Sequence, residues 1–154
     1  MPLSCLAVLL LAAAPAPPVK EASDRTPPRV EGAWVRRNPV PGRPSAGYLT
    51  ITGGGAPDKL VGVISPGLRI ELHSMTLDAG VVKMAKLAAL PVPIAATVAL
   101  ASGGNHLMIF GLADAPKSVP LTLVFGSGAK VATTAAVRSA AATAADPHAG
   151  HGQH

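Results

Sequence analysis

From Val30 onward the chain is cut into apolar runs of five to eight residues by turn formers, and no run carries a helical period beyond a turn or two. The runs are Val30 to Arg36, Ala46 to Thr52, Lys59 to Ile64, Leu68 to Met75, Val81 to Leu87, Ile94 to Ala101, His106 to Phe110, Leu121 to Phe125 and Lys130 to Val137. Between them stand Asn38-Pro39 with Pro41-Gly42, then Gly53-Gly54-Gly55, Ser65-Pro66-Gly67, Asp78-Ala79-Gly80, Gly103-Gly104-Asn105 and Gly126-Ser127-Gly128. Short runs at this pitch, separated by residues that favour turns, predict an all-β sandwich or barrel. Composition agrees, since aromatic residues make up only 3% of the chain and the apolar share of 49% lies mostly in Val, Ile, Leu and Ala. That share is enough to fill the core of one compact domain at 154 residues.

The ends read differently. Residues 1–16 hold an apolar run, Leu6 to Ala14, followed by small residues, and are expected to be a secretory signal segment, too short to span a bilayer. Leu3-Ser4-Cys5 would form a lipoprotein cleavage box if translation begins upstream, with Cys5 as the lipidated residue. Residues 17–28 are a Pro-rich linker, 29–138 the folded domain, and 139–154 a flexible Ala/Thr-rich tail bearing His148, His151 and His154. Cys5 is the single cysteine, so the domain itself carries no thiol. An exported location suits that, because a thiol-free site tolerates an oxidising compartment.

The formal charge is +5, and six of the 13 basic residues fall between Lys20 and Arg43. Nucleic acid is a poor partner, since no set of stacking aromatics is interleaved with the charges. An enzyme is disfavoured as well: there are only eight carboxylates, no Ser/His/Asp arrangement and no Gly-rich phosphate loop. A plain adhesion sandwich remains as a rival.

Apart from the initiator, every methionine (Met75, Met84, Met108) and every histidine before the tail (His73, His106) lies between His73 and Met108. Imidazole nitrogen and thioether sulfur are neutral donors that suit Cu(I), and the missing thiolate argues against a blue-copper electron-transfer centre. Residues i and i+2 of a strand share a face, so His73 with Met75, and His106 with Met108, each form a nitrogen–sulfur pair. Alternation in Leu68 to Met75 puts Arg69, Glu71, His73 and Met75 opposite the core-facing set, so the donors are expected to look toward solvent or a loop-covered rim. A hairpin through Asp78-Ala79-Gly80 would bring Met84 beside them.

The spacing His73-x10-Met84-x21-His106-x-Met108 resembles the signature of periplasmic copper chaperones of the PCu(A)C type. Ala33-Trp34-Val35-Arg36, Ala46-Gly47-Tyr48-Leu49-Thr50, Leu60-Val61-Gly62-Val63, Glu71-Leu72-His73-Ser74-Met75, Gly104-Asn105-His106-Leu107-Met108 and Val119-Pro120-Leu121-Thr122-Leu123 are similar to stretches of the same family. The resemblance implies a cupredoxin-like Greek-key β-barrel that binds one Cu(I) through His73, Met84, His106 and Met108, with Met75 as a neighbour of the ligands. It also implies a protein that passes copper toward the CuA centre of cytochrome c oxidase, alone or with a thiol-bearing co-chaperone; a copper-sequestering protein without a specific acceptor is the rival reading. A monomer is expected, meeting the membrane only through a lipid anchor at Cys5. Protonation of either imidazole competes with copper, so affinity should weaken as pH falls through the ordinary histidine range near about 6.5. The three tail histidines suit Cu(II), Ni or Zn, and make Cu(II) capture a separate expectation.

Overall fold

The structure, a computed structural model, describes residues 26–114 and 116–140. Cys5, the signal segment and His148, His151 and His154 lie outside the described residues. Within them are ten strands: β1 (Arg29–Arg37), β2 (Ser45–Thr52), β3 (Asp58–Ile64), β4 (Arg69–Asp78), β5 (Val81–Lys86), β6 (Leu90–Val92), β7 (Thr97–Leu100), β8 (His106–Phe110), β9 (Ser118–Phe125) and β10 (Lys130–Ser139).

The strands form one sheet in the order β5-β4-β8-β2-β1-β10-β9-β3-β6, with β7 pairing β2 off this path. All but one of the pairings are antiparallel, the exception being β1 with β10. Although β3 and β4 are far apart in that order, only Ser65–Leu68 joins them, through an isolated bridge, and they pack together. The sheet is therefore rolled, with one face inward. On β9 that face takes Val119, Leu121, Leu123 and Phe125, all buried, while Ser118 and Pro120 are exposed. Each such side chain contributes roughly 1.5–3 kcal/mol by leaving water. Val35, Ile51, Leu60, Leu72, Leu107 and Ile109 complete the centre of this core.

Two sequence expectations change. The run Ile94 to Ala101 is a strand only over Thr97–Leu100, because Pro93, Ile94, Ala95 and Ala96 make a turn closed by the Ala96 N–H donating to the Pro93 carbonyl at 3.3 Å, with Ala95 at φ 52°. The short strand Leu90–Val92 was hidden by Pro91. It lies at the end of the sheet, paired only with β3, where a missing N–H removes no ladder bond from a second neighbour. At the other end of the domain Pro28 is buried and the Thr26 carbonyl accepts from Gly55 N–H at 3.0 Å, so the segment just before β1 lies against the barrel.

β4 and β5 are the hairpin anticipated at Asp78-Ala79-Gly80. Asp78 pairs with Val81, leaving a two-residue loop in which Ala79 and Gly80 both have positive φ, 50° and 82°. That is the type I′ pattern, whose twist matches the flanking strands.

Candidate metal centre

Three neighbouring strands, β5, β4 and β8, hold all five candidate donors in register. Met75 stands directly opposite Met84 across β4 and β5, and His73 directly opposite His106 across β4 and β8. Met108 faces Glu71 on one side and Ala46 of β2 on the other. Directly opposed residues share a face of the sheet with Cβ atoms about 4.5–5.5 Å apart. Local folding explains the alignment: Leu72 and Leu107, partners in the same ladder, are buried inward, and this sends His73, His106 and Met108 to the outer face.

The outer face is not uniformly open. Met84 is 49% exposed, His73, Met75 and Met108 are half-buried, and His106 is only 4% exposed. Of the expected settings, solvent or a loop-covered rim, Met84 has the first, while His106 is covered and shares a cavity wall with the loop residues Ser102 and Gly103. A cavity of about 270 Å³ is walled by Met75, Met84, His106 and Met108, with Arg36, Arg43 and Tyr48 among its other walls. His73 stands beside that cavity rather than in its wall, whereas Met75, read from sequence as a mere neighbour, is part of it.

The imidazoles are held differently. His106 Nδ1 lies 2.9 Å from the Gly104 carbonyl. A carbonyl only accepts, so Nδ1 carries the proton and Nε2 keeps a free lone pair. His73 Nε2 lies 3.1 Å from Glu71 Oε2, and its Nδ1 is buried with no partner among the described residues. A buried nitrogen without a partner costs about 1–3 kcal/mol, which a bound metal would offset. The ring centres are 6.1 Å apart. With imidazole–metal bonds of about 2 Å, two rings sharing one ion have centres up to about 6.4 Å apart, so the spacing admits a common metal.

Glu71 anchors this edge. Its Oε1 accepts from Arg69 at 2.6 Å and from Lys86 at 3.1 Å. The hydrogen bond from His73, then that from Lys86 and the charges of Lys86 and Arg69, hold its carboxyl down to about 2. Among the described residues no three His, Cys, Asp or Glu side chains gather to hold a metal. What converges is two imidazoles and three thioethers, a neutral set that fits Cu(I) and suits Zn, Mg or Ca poorly.

The donor face continues onto β2, β1 and β10. Trp34 and Tyr48 pair with ring centres 4.7 Å apart, Arg36 lies over Tyr48 at 5.7 Å, and Arg138 over Trp34 at 5.0 Å. Sequence reasoning found Trp34 and Tyr48 only through their family stretches. Glu71 was placed on the donor side but given no role, although its position two residues before His73 is the signal for one.

A family model described as "Putative lipoprotein LpqE-like" matches residues 29–137. The chain belongs to the LpqE-like family. No curated protein matches it. Among solved structures, this LpqE-like chain is similar to the copper-bound PCuAC domain from PmoF2, at 24% identity and a TM-score of 0.57, covering 73% of this chain and 92% of that one. It is also similar to the apo PCuAC domain from PmoF1, at 23% identity and a TM-score of 0.61, covering 75% and 97%. The fold is thus all-β and cupredoxin-like, of the PCuAC kind, as the resemblance implied.

Proposed function

We propose that this LpqE-like protein is an exported copper chaperone that holds one Cu(I) with His73, Met84, His106 and Met108 and hands it on toward the CuA centre of cytochrome c oxidase. One observation carries the reading: two imidazoles face each other in register beside cross-strand thioethers, one of them with a buried nitrogen that has no partner among the described residues. The copper-bound PCuAC neighbour and the lipoprotein description of the family support copper as cargo and export as destination. Neutral ligands leave Cu(I) as the only added charge. The exposure of Met84 favours transfer over sequestration, because an acceptor's ligand can attack from that side before the buried His106 lets go. Binding, not catalysis, is the role of every residue assigned. A thiol-bearing co-chaperone or a lipid anchor at Cys5 would extend this reading without altering the site, and among the described residues no helix is long and apolar enough to cross a membrane.

The test is Cu(I) and Cu(II) stoichiometry on the full mature chain, on His106→Ala and on a chain lacking His148 to His154. Loss of Cu(I) in the first variant, and of Cu(II) alone in the second, is expected. Full Cu(I) binding by His106→Ala refutes the core site, and unchanged Cu(II) binding without the tail refutes the tail's part. A chaperone should also give Cu(I) to an apo CuA domain faster than to a small chelator of equal affinity, and equal rates would favour sequestration.

A further inference from the structure

We infer that Glu71 is a positioning residue that commits His73 to bind copper through Nδ1, while His106 binds through Nε2, so that the two imidazoles of one centre use different ring nitrogens. The inference rests on the copper reading above and goes beyond it to the atoms and to the residue that selects them.

A neutral imidazole has one N–H and one lone pair, and whichever nitrogen donates a hydrogen bond leaves the other for a metal. At His106 the Nδ1–H donates to the Gly104 carbonyl at 2.9 Å, which frees Nε2. At His73 the assignment is reversed. Glu71 Oε2 lies 3.1 Å from Nε2, and an ionised carboxylate can only accept, so the proton sits on Nε2. The remaining Nδ1 is buried and has no hydrogen-bond partner among the described residues, which leaves its lone pair available to a metal.

Glu71 is itself held. Arg69 Nη1 at 2.6 Å and Lys86 Nζ at 3.1 Å both donate to Oε1, leaving Oε2 for His73. With both oxygens engaged, the carboxylate is withheld from the metal although it stands opposite Met108, and the donor set stays neutral. Lys86 adds a second connection: it is the cross-strand partner of His73 and lies two residues beyond Met84, so the same ion pair ties the Met84 strand to the His73 ring. Outer partners of this kind fix the ring orientation of metal-binding histidines, and losing one typically lowers metal affinity about 10–100-fold.

The experiment is nitrogen-15 NMR of the imidazole rings in the full mature chain, read without metal and after one equivalent of Cu(I), for wild type, Glu71→Ala and Glu71→Gln. In the metal-free wild type His73 should show a single tautomer protonated at Nε2, and His106 a single tautomer protonated at Nδ1. Cu(I) should then shift Nδ1 of His73 and Nε2 of His106. Glu71→Ala should leave the amide spectrum folded and His106 unchanged, average the His73 tautomers and weaken Cu(I) binding by about 10–100-fold. Glu71→Gln keeps an acceptor oxygen and should lose less. A wild-type His73 protonated at Nδ1, a Cu(I) shift at its Nε2, or a Glu71→Ala variant with wild-type tautomer and affinity overturns the inference and leaves the copper reading standing. Absence of any imidazole shift with Cu(I) overturns both.

Discussion

Gly47→Ala is a test of how tightly the strand bearing His106 and Met108 is held. Gly47 is the cross-strand partner of Leu107, the inward residue between those two donors. A Cβ added there would sit 3.0 Å from Ile109 Cδ1, 3.1 Å from Leu107 Cβ and 3.3 Å from Leu107 Cδ1. The methyl of Ile109 can turn aside, but Leu107 Cβ is fixed to the backbone, so β2 and β8 must separate by a few tenths of an ångström. Overpacking of this kind costs about 1–3 kcal/mol. Removing a glycine also restricts the unfolded chain and returns about 0.4–1 kcal/mol. The net loss is about 1–2 kcal/mol, or a Tm lower by roughly 4–8 °C for a domain of this size. Gly62→Ala is the control, because its Cβ would meet nothing within 4 Å and its φ is ordinary. Only the unfolded-state term applies there, so Tm should rise by a few degrees. Calorimetry of both variants, metal-free, decides the matter: shifts of the same sign would refute the reasoning. With Cu(I) present, Gly47→Ala should also show a smaller copper-induced rise in Tm than wild type, since affinity sets that rise.

Three further outcomes are expected. Ala79→Asn relieves an L-residue at φ 50° in the hairpin loop, and should stabilise the domain by about 1 kcal/mol in urea unfolding; an unchanged midpoint would count against strain there. Glu71 has its folded pKa lowered from 4.5 to about 2, so its contribution is complete above pH 4.5 and is lost as pH falls toward 2; the urea midpoint of wild type should drop more steeply through that window than that of Glu71→Gln. Met84→Leu keeps volume at a half-exposed position, and should alter stability by less than about 0.5 kcal/mol while weakening Cu(I) in chelator competition. Equal Cu(I) affinity would remove Met84 from the ligands.

Much of the architecture follows from period and punctuation. Alternating burial along β9, and the Asp78-Ala79-Gly80 hairpin, are visible in residue order because one face of each strand must leave water. What hid was where rules of thumb compete. Pro91 breaks a central strand but is tolerated at the end of this sheet, and edge or centre is a property of the whole topology. Strand parity put His106 on the outer face, yet could not tell that it is covered there to 4% exposure. Likewise the family resemblance singled out four donors, while the cavity wall takes in Met75 and leaves His73 aside. Glu71 was legible in principle, two residues from His73 on one strand face.

Strand β5 ends the sheet, and all six of its residues are exposed. Among the described residues, detaching it breaks ladder hydrogen bonds to β4 alone and uncovers no core side chain, so its opening should lie far below the free energy of global unfolding. Met84 rides on this strand, whereas His106 rides on β8, locked between β4 and β2. The proposed ligands thus ride on strands held to unequal degrees. If they bind copper as proposed, the site would shed the Met84 sulfur on the timescale of local fraying while the buried imidazole keeps hold, and amide exchange fastest at residues 81–86 would be the mark of that order of release.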